Sequence, residues 1–348
     1  MKVLAYYGTR NARVEDRPVP VPGPNQLLVK INYCGICGSD MEIYRNPDKQ
    51  KPPIVLGHEN VGTVVSVGDG VTDYQVGDIL LCGPPKHCAE DCPSCRAGRS
   101  NICLNGLPRT AGLRKYDGGY AEYMLVHDVA HTTLVKIAPG TNLKEAVLFD
   151  VVCVSFHAIR RSRFRMGETA VVSGTGSIGL SCIRLLKAAG ASRIIALGTN
   201  SAKEDLIKSF GADKFINVRE CEDIRGEICK YLGREVAADV AFECVGDNGS
   251  LRNCISAVKP GGQVMLIGVS GSPANEIIFN TIGNKEIDLC PSFVYTPDEV
   301  EMYLDMLATG KLYFGDLVTS VVSLDDCIEY GLDHKDRSQI KILIDPSL

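Results

Sequence analysis

Residues 167–191 read GETAVVSGTGSIGLSCIRLLKAAGA. The first part, ETAVVS, is a short continuous apolar run, the pattern of a strand buried on both faces. The turn GTGSIG, Gly174 to Gly179, follows, and apolar residues then recur at helical spacing through Ala191. A glycine-rich turn from a buried strand into a helix suits a dinucleotide pyrophosphate. Gly174 permits the tight turn, Gly176 lets the backbone approach the phosphates, and Gly179 lets helix and strand pack closely. Ser177 and Ile178 open the helix, whose first N–H groups have no intrahelical partner and face the anion.

The downstream text supports this reading. SRIIALG, DVAFECVG and QVMLIGV read as strands, and AKEDLIKSFGAD and LRNCISAVKPGG as the helices between them. That alternation predicts a doubly wound parallel sheet, an α/β fold of Rossmann type, with right-handed crossovers. Val245, Gly268 and Val269, at the ends of two of these strands, join the candidate cofactor contacts. An NAD site usually carries an acid about 20 residues after the glycines, on the ribose hydroxyls. Here the second strand ends Gly198-Thr199-Asn200, and no carboxylate appears before Glu204. Gly198 leaves room, Thr199 and Asn200 can donate, and Lys203 adds positive charge. A 2′-phosphate meets no like charge there, so NADP is favoured, with NAD as the alternative.

Upstream, residues 1–150 are rich in Gly, Pro and Val, and LLVKINYCGIC, GTVVSVGDGV and GYAEYMLVH read as strands. After about residue 290, PDEVEMYLDMLATGKL reads as an amphipathic helix and QIKILIDP as a closing strand. The expected organisation is a mostly β domain over 1–153, a cofactor domain over 154–289 and a C-terminal segment over 290–348.

The 348 residues carry a formal charge of −5 and are 45% hydrophobic. Such a length supports two domains with ample cores. No window reaches the roughly 18 apolar residues of a membrane span, and MKVLAYYGTRNARVED lacks a signal-peptide apolar region. The mild acidity argues against nucleic acid as a partner. One basic run, RRSRFR at 160–165, reads as a solvated helix face. Fifteen scattered cysteines in a long chain do not resemble a secreted disulfide scaffold. A reducing cytoplasm is expected, with most of the scattered cysteines acting as small buried hydrophobes.

Four cysteines are crowded into KHCAEDCPSCRAGRSNIC (86–103): Cys88, Cys92, Cys95 and Cys103. In a reducing compartment such crowding favours a metal over a disulfide. Four thiolates complete a tetrahedral zinc shell with no open position, so this lobe (86–104) is expected to be structural. Cys82 and His87 flank it, and either can replace a member. Cys37 in CGICGSD and His58 in GHEN are a second pair of zinc-type ligands.

These segments together resemble the zinc-dependent medium-chain alcohol/polyol dehydrogenases. The resemblance rests on GICGSD, GHENVGTVVSVGDGV, VGDIL, the four-cysteine lobe, DGGYAEY, GTGSIG and GGQVMLIG, and runs the whole length. It implies a GroES-like catalytic domain with an inserted Rossmann domain, and catalytic zinc on Cys37 and His58. The third ligand it implies is Asp150 in LFDVVCVSFHA, with Cys153 as the competitor. Glu59 matches an acid behind the zinc that approaches it when water is displaced, and Asp40 a carboxylate that orients the ligand histidine. In two places the chain departs from the family. The lobe spacing is three, two and seven where two, two and seven is usual. The histidine that many relatives use to pass the proton outward is replaced by Glu42.

Three protein ligands leave zinc one position for the substrate oxygen. Ser39 is expected to accept the hydroxyl proton, and Glu42, or ribose hydroxyls and water, to relay it. The expected activity is hydride transfer between NAD(P) and a secondary alcohol or polyol, or the matching ketone. Tyr44, the segment after Gly106, and Ser292 to Tyr295 are expected to wall the substrate pocket. The competing readings are a zinc-independent quinone-type reductase and a non-catalytic nucleotide sensor on the same scaffold. The resemblance also suggests a homodimer or homotetramer built partly through the Rossmann sheets.

Overall fold

The computed structural model describes residues 1–46, 50–88, 91–269 and 279–348. The chain forms two units: Met1–Asp150 with Thr296–Leu348, and Val151–Tyr295.

In the second unit the described residues form a six-stranded parallel sheet. Its order is Lys214–Asn217, Arg193–Gly198, Thr169–Ser173, Ala238–Glu243, Val258–Leu266, Asp288–Pro291. Chain order therefore reverses at Thr169–Ser173, the switch point at which such sheets bind ligands beyond their carboxyl ends. Every residue of Thr169–Ser173 is buried, which explains an apolar run without alternation. Val171, Ile195, Leu197, Ala241 and Val264 from the strands pack with Cys254 and Ile255 from the helix Asn248–Ala257.

RRSRFR is not a helix face. The helix Phe149–Arg161 ends inside it. Ser162 Oγ donates to Ile159 O at 2.6 Å and accepts from Phe164 N at 3.1 Å, competing with further helical bonding. Beyond the helix, Arg163 pairs with Asp288 at 2.7 Å and donates to Gly261 O at 3.2 Å.

The first unit is mostly β. Asn11–Asp16, Lys2–Gly8 and Ile54–Val55 make one sheet. A seven-stranded sheet joins Val318–Val322, Lys341–Ile344, Leu27–Gly35, Glu59–Val67, Ile79–Pro85 and Thr132–Lys136, with Tyr123–Val126 also on Leu27–Gly35. The C-terminal strand is antiparallel to Leu27–Gly35, with Leu343 opposite Gly35 and Ile344 opposite Cys34. That register brings Lys341 beside the segment leading to Cys37. No helix among the described residues is long and apolar enough to cross a membrane.

Candidate metal centres and cofactor site

Short local elements bring the lobe cysteines together. Cys92 precedes the helical turn Pro93–Arg96, which carries Cys95, and Cys103 ends the 3-10 turn Ser100–Ile102. All four thiols are buried, and their sulfurs lie within 4.8 Å of one another. Cys88 to Cys95 is 3.8 Å and Cys92 to Cys103 is 3.9 Å. Sulfurs about 2.3 Å from a tetrahedral zinc stand about 3.8 Å apart, whereas a disulfide requires about 2.05 Å. Backbone N–H groups also point at sulfur: Cys92 N to Cys88 at 3.4 Å, and Gly106 N to Cys103 at 3.2 Å. N–H donors from Cys95 and Leu104 pull the Cys92 thiol down to about 6, while burial pushes Cys95 up to about 12. The donor set thus fits a closed zinc shell. The extra residue in the spacing does not exclude Cys88. Cys82 lies in a strand, its thiol pushed up to about 12 by burial, and the half-exposed His87 faces Asp91 at 3.5 Å. Neither belongs to the group. Residues 89–90 of the lobe lie outside the described residues.

A second group converges from Cys37, His58, Glu59 and Asp150, with ligand atoms within 4.8 Å of one another. Cys37 is the N-cap of the helix Gly38–Arg45, and its N–H donates to Asp40 Oδ2 at 3.0 Å. Asp40 is fully buried, accepts from the Tyr120 hydroxyl at 2.8 Å, and places Oδ1 3.4 Å from His58 Nδ1. With Nδ1 turned to Asp40, Nε2 is the nitrogen left for a metal, and it lies 3.5 Å from Ser39 Oγ. Asp150 stands in the first turn of the helix Phe149–Arg161, and that helix supplies Asp150 to the group, not Cys153. A thiolate, an imidazole and a carboxylate are a zinc donor set. In the metal-free chain the His58 pKa is raised well above its ordinary value. Burial would lower it, but the Asp40 carboxylate and then Cys37 outweigh burial. Zinc uptake at His58 therefore displaces a proton and weakens as pH falls.

Two features of this centre were not legible in the sequence. The first is Tyr120, which the DGGYAEY motif carries without announcing its contact. Its backbone N–H donates to Leu56 O at 3.0 Å, and Gly119 N to Gly57 O at 2.8 Å, so this segment holds the loop that bears His58. Gly57 adopts φ +96°, and a Cβ there would lie 2.4 Å from the Tyr120 ring. Tyr120→Phe is expected to cost about 1–2 kcal/mol of stability, since it removes a donor from a buried carboxylate. It should also speed zinc release to a chelator severalfold. Unchanged release would show that Asp40 orients His58 without it. The second feature is Lys341, 2% exposed and ion-paired with the fully buried Glu59. Burial would lower the Lys341 pKa, yet it is raised, chiefly by Glu59 and then Cys37.

Glu42 lies on the helix Gly38–Arg45, partly exposed and outside the converging ligand atoms. Tyr44 is a core residue and not a pocket wall: it is 2% exposed, and its hydroxyl donates to Asp333 at 3.0 Å. The segment after Gly106 does line a cleft, where Gly106, Arg109 and Thr110 appear with His58.

In the second unit, Gly174 has φ +109°, and a Cβ there would meet Val245 at 2.9 Å. Gly176 caps the helix Ser177–Ala188 without a side-chain bond, and a Cβ on it would meet nothing within 4 Å. Open space therefore faces unpaired N–H groups, as a pyrophosphate requires. Gly179 serves the turn first: its Cβ would lie 1.9 Å from Gly174 O, and 3.6 Å from Val172. Val245 and Val269 are 47% and 79% exposed, large apolar side chains beyond the carboxyl ends of the strands. Buried Glu243, which the strand pattern hid, shapes the turn by accepting from Val245 N at 2.8 Å and Gly246 N at 2.9 Å.

Gly198 does not leave room. It is buried, and a Cβ would meet Thr175 at 2.9 Å and Phe215 at 3.0 Å. The expected space is filled because Thr175, in the glycine turn, folds over the end of the strand. Thr199 is exposed, while Asn200 spends its side-chain oxygen on Ala202 N at 3.1 Å. Lys203 ends the 3-10 turn that Asn200 starts. Arg219, not singled out in the sequence, follows at the same sheet edge, since Val218 N donates to Gly198 O at 2.9 Å.

Comparisons with known proteins agree. The alcohol dehydrogenase GroES-like domain model matches residues 23–138, and the zinc-binding dehydrogenase model residues 177–309. A sorbitol dehydrogenase of Bacillus subtilis (strain 168) is 30% identical over 356 residues, covering 100% of this chain and 98% of that protein. Among solved structures, 2R,3R-butanediol dehydrogenase from Bacillus subtilis superposes with TM-score 0.87 at 30% identity, covering 99% of both chains. An NADP-bound zinc-binding dehydrogenase target from Sinorhizobium meliloti 1021 gives TM-score 0.90 at 28% identity, again over 99% of both. The chain belongs to the zinc-dependent medium-chain alcohol/polyol dehydrogenase family. It is an NAD(P)-dependent oxidoreductase of alcohols or polyols.

Proposed function

We propose that Cys37, His58 and Asp150 hold the catalytic zinc, that Cys88, Cys92, Cys95 and Cys103 hold a structural one, and that the substrate is a secondary alcohol or polyol. The observation that carries this reading is the convergence of Cys37, His58, Glu59 and Asp150 onto one point. The catalytic zinc, when bound, supplies a Lewis acid that polarises the substrate oxygen and lowers the alcohol's pKa. Ser39 Oγ, 3.5 Å from His58 Nε2, takes the substrate hydroxyl proton. Glu42, one turn further along the same helix, is the candidate to pass it outward. Asp40 holds the imidazole in place, and the second unit binds the nicotinamide cofactor that accepts or returns the hydride. The sorbitol and butanediol enzymes among the relatives favour a vicinal diol or polyol, and we infer a homo-oligomer in line with the family.

We also propose that NADP is used at least as well as NAD. No acid stands at the end of Arg193–Gly198; Thr199 follows that end, Lys203 closes the next turn, and Arg219 follows Val218, whose N–H donates to Gly198 O. A panel of secondary alcohols and polyols with each cofactor, followed by nicotinamide absorbance, tests both readings. Arg219→Ala should lower kcat/KM for NADP about tenfold, near 1.4 kcal/mol, while NAD changes by less than about twofold. Gly198→Asp should shift preference toward NAD. Gly198→Ala is its control, because any side chain there must displace Thr175 or Phe215. A parent that strongly prefers NAD, or that turns over no alcohol in the panel, would sink the corresponding reading.

A further inference from the structure

Between Gly174 and Gly176 the glycine turn carries a single side chain, Thr175. Gly174 N donates to Leu197 O at 2.9 Å, which lays the turn against the last residues of the strand Arg193–Gly198. The threonine therefore stands over the end of that strand: a Cβ on Gly198 would lie 2.9 Å from Thr175 Cγ2 and 3.0 Å from its Oγ1. Phe215, buried on the neighbouring strand Lys214–Asn217, backs the same point at 3.0 Å. Methyl and hydroxyl thus fill the volume in which a side chain of residue 198 would begin. From that position a carboxylate binds the ribose hydroxyl in an NAD site. Thr175 is partly exposed, and among the described residues no group hydrogen-bonds its hydroxyl.

We propose that Thr175 is a specificity-determining residue, whose hydroxyl donates to the 2′-phosphate of NADP from the place that an NAD site gives to an acid. This inference rests on the reading that NADP is used at least as well as NAD. Gly198 serves it twice, since its missing side chain removes the acid and makes room for the threonine. The change of chemical group decides the preference. A carboxylate accepts from a 2′-hydroxyl and repels a 2′-phosphate. A hydroxyl carries no charge and can donate, and a bond donated to a phosphate is charge-assisted, roughly twice as strong as one between neutral groups. Lys203 and Arg219, in the turns after Arg193–Gly198 and Lys214–Asn217, supply positive charge. The hydroxyl supplies direction, because the backbone bond from Gly174 to Leu197 pins the turn that carries it.

The test measures the binding of two adenosine fragments to the full-length protein by calorimetry: 2′,5′-ADP, which carries the 2′-phosphate, and 5′-AMP, which lacks it. Thr175→Val keeps the branched shape and loses the hydroxyl. Its Kd for 2′,5′-ADP should rise about tenfold, while that for 5′-AMP changes by less than about twofold. Thr175→Ser, which keeps the hydroxyl, should stay within about threefold of the parent for both fragments. In Thr175→Val, kcat/KM with NADP should fall in step with the fragment affinity, and kcat/KM with NAD should stay near the parent's. If Thr175→Val does not fold, Thr175→Ala carries the same test. Parent-like binding of 2′,5′-ADP by Thr175→Val would overturn the proposal. So would an equal loss for both fragments, which would make Thr175 a residue that shapes the turn alone. Failure of the NADP reading looks different: the parent itself would then bind 5′-AMP as tightly as 2′,5′-ADP, and the proposal would fall with it.

Discussion

Asp150→Asn is expected to lower kcat/KM by about 10³-fold, which is ~4 kcal/mol of transition-state stabilisation. The amide keeps the shape of the side chain in the first turn of the helix Phe149–Arg161 but gives up its charge. With Asp150 neutral, the Cys37 thiolate is the one remaining anion among the three assigned ligands, and metal affinity falls with the catalytic power. Zinc content should drop from about two per chain toward about one. Cys153→Ala, one helical turn on and buried, should leave both zinc and turnover close to the parent. Full zinc in Asp150→Asn together with loss in Cys153→Ala would reverse the assignment of the third ligand.

Cys95→Ser removes one sulfur from the closed lobe and should release about one zinc per chain, because a structural site contributes folding free energy directly. The sulfur pairs at 3.8 and 3.9 Å have no disulfide to fall back on, so the buried lobe loses its cross-link outright. A loss of about 3 kcal/mol in a unit of this size corresponds to a Tm lower by roughly 6–12 °C. The Cys37 centre should keep its metal, which zinc analysis of Cys95→Ser alone and combined with Asp150→Asn resolves. An unchanged zinc content and melting curve would show that the four sulfurs hold no metal.

Local patterns made much of this protein readable before any coordinates. ETAVVS announces a strand buried on both faces because a central parallel strand has helices on either side. GTGSIG announces the turn because backbone at φ +109° tolerates little but glycine. The crowding of Cys88, Cys92, Cys95 and Cys103 within one short segment is visible because a structural zinc shell can be drawn from a single loop. RRSRFR misled for the opposite reason. Charge spacing says where arginines would lie on a helix, but whether the helix continues is settled by Ser162 and by Asp288, far along the chain. Gly198 misled too, since the space beside a glycine belongs to its neighbours, here Thr175 and Phe215.

The sequence by itself determined the Rossmann-type sheet, the mostly β partner unit, the glycine turn and the cysteine lobe. Each depends on residues near one another in the chain, where spacing and geometry are the same thing. Only the tertiary structure decided what surrounds the Cys37 centre. Tyr120 reaches Asp40 across 80 positions, and Lys341 reaches Ile36 across 305. A lysine in a closing strand reads as ordinary surface until an antiparallel register buries its ammonium against Glu59. Its charge then finds its partner there, because in a water-excluded site every ion must find its counterpart among whatever the fold brings near.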